Sequence, residues 1–161
     1  MDFENLSADE KEISRALARE LEKVYAQTPY WSMEKLQHEY KAIQDKYIAL
    51  TPGKPQLQQE TRRRALELAF YSAIERDEPV ERCESLLAKL TEEGFAAVER
   101  KANVLIVLSR YYYKTGENGK ANATLLELRA ELEKAMEADP NDLYQWLLGI
   151  ISDLLKTNDI V

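Results

Sequence analysis

The stretch Tyr111–Ala121, YYYKTGENGKA, contains the residue types from which a phosphate cradle is made: two glycines and a lysine in a turn-prone setting. A nucleotide-binding loop needs four residues between its glycines, then Lys and a Ser or Thr hydroxyl for magnesium, all following a strand. Here two residues separate Gly116 from Gly119, Ala121 follows Lys120, and the preceding pattern is helical. The cradle is too short and lacks its hydroxyl, so the expected role is a turn between two helices. The single histidine, His38, and the single cysteine, Cys83, fall in different helical segments, and no metal-ligand spacing joins them to carboxylates. Cys83 lies on an apolar face, where packing is the expected role. Glu92–Glu93 and Glu131–Glu133 read as solvated helix faces. No catalytic constellation, cofactor or metal is predicted.

The elements that carry these residues follow from composition and periodicity. The 161-residue chain is 45% hydrophobic and 32% charged, with five glycines and five prolines, a mixture that fits a helical globular protein. Its net charge of -7 disfavours nucleic acid and anionic membranes as partners. A lone cysteine cannot form an internal disulfide. The acidic start MDFENLSADEKE lacks the basic-then-apolar order of a signal peptide, and no apolar run reaches spanning length. A cytoplasmic protein is therefore expected.

Seven helices are predicted and no strand. Ser7 and Glu10 have capping-box spacing, and Ile13, Leu17, Leu21 and Val24 share a face. Ser32 caps a second helix whose seam is Met33, Leu36, Tyr40, Ile43, Tyr47 and Leu50. The third, from about Leu57 to Arg76, turns Leu66, Ala69, Phe70, Ala73 and Ile74 inward. Pro79 opens the fourth as its first residue, and Gly94 closes it. The fifth, from about Phe95 to Lys114, is apolar nearly all round and is expected to be covered on more than one side. The sixth carries Leu125, Leu128, Leu132 and Ala135. The seventh, after DPND, carries Leu143, Trp146, Leu147, Ile150, Ile151, Leu154 and Leu155. Short turns make neighbours antiparallel, so the fold class is all-α, a helical-hairpin array or a compact bundle. One all-α domain over residues 1–161 is expected, with an N-terminal hairpin over 1–53 and further hairpins plus a final helix over 54–161.

Between Leu105 and Pro140 the spacing of Leu105, Leu108, Ser109, Tyr112, Gly116, Ala121, Leu125, Ala135 and Pro140 resembles a tetratricopeptide repeat. Leu105 stands where that family has tryptophan, and the second helix is longer by seven residues, about two turns, which keeps its apolar face in register. The resemblance covers about a quarter of the chain. It implies a concave groove lined by the first helix of each pair, here Asn103, Ile106, Arg110, Tyr113 and Lys114. These residues suit an extended peptide or an acidic helix. The expected function is thus a non-enzymatic protein-protein interaction module.

Two other patterns carry weaker expectations. His38 with Lys41 resembles the His-x-x-Lys of histidine phosphotransfer domains, which implies a solvent-facing imidazole with a lysine one turn away. Ala42, where that family favours glycine, departs from the pattern. Arg62, Arg63 and Arg64 spread over more than half a helix circumference, and Glu60–Arg64 and Arg63–Glu67 have ion-pair spacing, so a solvated face is expected. The last helix has an apolar arc wider than one packing face requires, which offers Trp146, Ile150 and Leu154 as a homodimer surface.

Overall fold

A computed structural model describes residues 3–160. After a short 3-10 turn at Phe3–Asn5 come seven helices: α1 (Ala8–Tyr25), α2 (Met33–Ala49), α3 (Pro55–Glu75), α4 (Val80–Glu93), α5 (Val98–Lys114), α6 (Asn118–Ala138) and α7 (Asp142–Ile160). There is no strand among the described residues, and sequential helices pack as antiparallel neighbours within two compact units, Met1–Ala96 and Ala97–Val161.

In the first unit, the capping box at Ser7 is complete. The Glu10 backbone N–H donates to Ser7 Oγ at 3.1 Å, and the Ser7 N–H donates to Glu10 Oε1 at 3.1 Å. Ser32 caps α2 through the Lys35 N–H. Both caps satisfy helix N–H groups that have no intrahelical acceptor. Helix α3 contacts α1, α2 and α4, so it is the helix around which this unit is built. Its Phe70 and Ala73 are fully buried, while Leu66 and Ile74 are half-buried. Leu50 ends the α2 seam as an exposed C-cap rather than a core residue, because the chain turns there at Thr51–Lys54. Pro79 is the N-cap of α4 rather than its first residue.

The end of α3 and the end of α5 use the same device. The Glu78 N–H donates to Ala73 O and the Asp77 N–H to Ile74 O, with Asp77 at φ 54. The Glu117 N–H donates to Tyr112 O and the Gly116 N–H to Tyr113 O, with Gly116 at φ 85. Each is a Schellman cap, in which a left-handed residue lets two N–H groups reach the last open carbonyls. The TGENGKA turn is therefore a helix terminus followed by the entry to α6.

In the second unit, Ala102 and Ile106 of α5 join Leu125, Leu128, Leu132, Leu147 and Ile151 in one apolar cluster, so α6 and α7 both pack on α5. Val104, Leu108, Ser109, Tyr111 and Tyr112 of α5 are buried as well, and this helix is covered on more than one side. It begins at Val98, three residues later than its apolar pattern predicts, because Ala97 is extended and the residues before it bend. Asn141 Oδ1 accepts from the Tyr144 N–H to start α7, and Asn158 Nδ2 donates to Asn122 Oδ1 at 2.9 Å to hold its end against α6.

Candidate functional site

The three consecutive arginines of α3 do not form a solvated face. Arg63 Nε donates to Gly94 O at 2.6 Å, and Arg62 Nε pairs with Glu93 Oε1 at 2.6 Å. Gln59 Nε2 donates to Glu93 O at 2.8 Å. Arg64 pairs with Glu60 at 3.2 Å, the predicted i,i+4 contact, and its Nη1 reaches Ser14 O of α1. Arg63 turns to the C-terminus of α4 and toward Glu60 rather than to Glu67. A helix C-terminus presents open carbonyls and partial negative charge, so guanidinium groups are drawn to it. The cluster is a fastening between α1, α3 and α4.

The hydroxyl-bearing residues of the first unit also converge, from positions far apart in sequence. Thr28 Oγ1 lies 2.9 Å from Ser72 Oγ, and the Tyr40 hydroxyl 2.8 Å from the same atom. Arg76 Nη1 donates to Thr28 O at 2.8 Å, and the Tyr25 hydroxyl donates to Glu75. Burial, then the adjacent Glu75 carboxylate, pushes the Tyr25 hydroxyl up from its ordinary value, so it stays protonated and supplies no base. This network joins the α1–α2 turn to α3 through buried hydrogen bonds, with Arg76 Nε the one buried side-chain atom of it that has no partner among the described residues.

Tyr47 donates its hydroxyl to Glu20, which also receives Lys46 Nζ at 3.0 Å. The Tyr47 hydrogen bond, with Lys46 in support, holds the Glu20 carboxyl below its ordinary value, whereas burial and Glu20 push Tyr47 up to about 12. A carboxyl depressed in the folded state stabilises the fold above its unfolded value, about 4.5, and loses that contribution as pH falls through the folded value. Glu20→Gln is expected to be less stable than wild type at pH 7, with the difference closing below about pH 4. Urea titrations at pH 7 and pH 3 measure this; an equal difference at both would show that ionised Glu20 contributes nothing.

Cys83 is fully buried, and burial pushes its thiol up to about 11. The thiolate is the reactive form, so native protein at pH 8 is expected to resist Ellman's reagent until urea unfolds it. Rapid release of one thionitrobenzoate equivalent without denaturant would contradict that placement.

His38 is exposed on α2, and Lys41, one turn on, pairs with Asp45 at 2.8 Å. No group of three His, Cys, Asp or Glu side chains among the described residues stands close enough to hold a metal, and no described helix is long and apolar enough to cross a membrane.

Each unit carries a cleft among its described residues. The first, of about 200 Å³, runs between α2 and α4 over α3, with Gln37, Lys41 and Gln44 on one wall, Leu86 and Lys89 on the other, and Ala65 and Ala69 in the floor. Sequence reasoning missed it because its walls come from α2 and α4, which are distant in sequence. The only local signal was the polar line 37–41–44 beside the α2 seam. The second, of about 80 Å³, lies between α5 and α7 and is lined by Ser109, Arg110, Tyr113, Leu154, Thr157 and Asn158.

The predicted groove residues of α5 thus separate. Arg110 and Tyr113 line the second cleft, Lys114 and Asn103 are exposed, and Ile106 is 6% exposed within the core cluster. Ile106 is therefore corrected from groove lining to core, since α7 packs over the α5 face that the repeat register leaves open. Of the predicted dimer surface, Trp146 is 63% exposed, whereas Ile150 and Leu154 are half-buried against the core cluster. Comparison with protein families, with characterised proteins and with solved structures gives no significant match.

Proposed function

We propose that this chain is a non-enzymatic protein-binding module, built of helical hairpins in a tetratricopeptide-like manner, that holds an acidic segment of a partner at the α5–α7 cleft. The observation that carries the reading is Arg110, an exposed guanidinium at the mouth of that cleft with no hydrogen bond or ion pair to any described residue. Tyr113 supplies an aromatic wall, Leu154 an apolar surface, and Thr157 and Asn158 hydrogen-bonding groups. A cleft of about 80 Å³ takes one side chain rather than a small-molecule ligand, for which roughly 300–1,000 Å³ is usual. An Asp or Glu side chain entering beside Arg110 gains a charge-assisted hydrogen bond, which is the kind of contact that selects partners. The hairpin reading is supported by α1 touching α3 and α5 touching α7, and by the fully buried Ala121, which allows α6 to approach α5 closely.

Affinity capture with wild type, Arg110→Glu and Tyr113→Ala is the experiment. Arg110→Glu is expected to reduce recovery of bound proteins at least about tenfold with an unchanged circular dichroism spectrum, because the guanidinium makes no bond to any described residue. If both variants fold and retain every partner, this cleft is not the binding site.

A further inference from the structure

The outer face of α7 carries an acid–apolar–acid stripe. Asp142, Leu143, Trp146, Ile150 and Asp153 fall within roughly 100° of helix circumference, and the two aspartates stand about 16 Å apart along the axis. Leu143 is 43% exposed and Trp146 is 63% exposed, so neither is buried within its own chain. The cleft on the first unit has the opposite character. Its floor is apolar and recessed because Ala65 and Ala69 end at Cβ, and each wall bears a lysine, Lys41 on α2 and Lys89 on α4. No carboxylate lines it. Lys89 has no ion pair among the described residues, and Lys41 is paired only with the exposed Asp45.

We propose that this cleft receives the α7 stripe of a second copy of the chain. The Trp146 indole covers the alanine floor, and Asp142 and Asp153 meet the lysines of the two walls. Burying an aromatic side chain supplies the main gain, and the matched charges set the register along the helix. The acidic chain, with a net charge of -7, would repel a copy of itself over most of its surface. Association is therefore directed to a cleft whose lining holds two lysines and no carboxylate, Lys41 exchanging its exposed partner Asp45 for the incoming aspartate. The contact joins unlike surfaces, which separates it from a symmetric α7-to-α7 dimer.

Sedimentation equilibrium on the full chain, carried up to about 1 mM, tests the contact. Wild type is expected to associate. Trp146→Ala and Lys89→Glu are each expected to weaken association at least about tenfold without changing the circular dichroism spectrum. Mixing Lys41→Glu/Lys89→Glu chains with Asp142→Lys/Asp153→Lys chains is expected to restore association that neither shows alone. A wild type that stays monomeric throughout overturns the proposal. So does a Lys89→Glu variant that associates like wild type, since a symmetric α7 contact does not involve α4.

Discussion

Phe70→Ala is expected to destabilise the protein by about 3–5 kcal/mol, read as a lower urea midpoint with an unchanged m-value. The side chain is fully buried on α3, the helix that touches α1, α2 and α4, and its ring packs edge-on to Tyr71 at 5.7 Å between centroids. Truncation removes apolar area from the core and leaves a cavity that a close-packed interior closes only in part. Against a total stability of about 5–15 kcal/mol for a typical domain, the loss is large. Phe70→Leu, which keeps much of the volume, is expected to cost less than about 1.5 kcal/mol. A Phe70→Ala midpoint equal to that of Phe70→Leu would mean that the site collapses freely, contrary to the packing described.

Arg63→Met is expected to cost about 2–4 kcal/mol, although a run of arginines on a helix usually tolerates substitution. The side chain is 14% exposed, donates from Nε to Gly94 O at 2.6 Å, and lies 3.8 Å from the buried Glu60. Methionine preserves the stem but removes the donors at the end of α4 and one of the two guanidinium groups beside Glu60. The open carbonyls and the carboxylate are then left in a poorly solvated place. Arg63→Lys is expected to recover only part of the loss, because an ammonium lacks the planar fork that reaches the carbonyl and the carboxylate together. Arg129→Met, which breaks the exposed Arg129–Glu133 pair, is the comparison and is expected to change stability by less than about 0.5 kcal/mol. Equal effects at positions 63 and 129 would return the arginines to the status of a solvated face.

The helices and their capping signals were legible in sequence because both depend on short-range spacing. Ser7 with Glu10, Ser32, Gly94 and Gly116 mark termini through backbone donors and acceptors within a few residues. The seam Met33–Leu36–Tyr40–Ile43–Tyr47 and the stripe Leu125–Leu128–Leu132 are buried as their periodicity predicts. The candidate sites were less legible. Arg110, Tyr113 and Trp146 were all named from sequence, but position along a helix does not reveal which neighbour covers a face. Ile106 occupies the same register as Arg110 and Tyr113 and lies beneath α7, while Lys89 lines a cleft only because α4 packs on α3, which α2 also contacts.

By itself, then, the sequence determined the all-α class, the seven helices and most of the inward faces, because hydrophobic period and cap chemistry act over one or two turns. Tertiary structure decided that the chain forms two compact units, that the three arginines fasten the end of α4, and that Thr28, Tyr40 and Ser72 share one buried network. It also decided which part of the α5 face remains open. Those outcomes depend on side chains tens of residues apart meeting in space, and burial in such meetings is what separates a solvated arginine from a structural one.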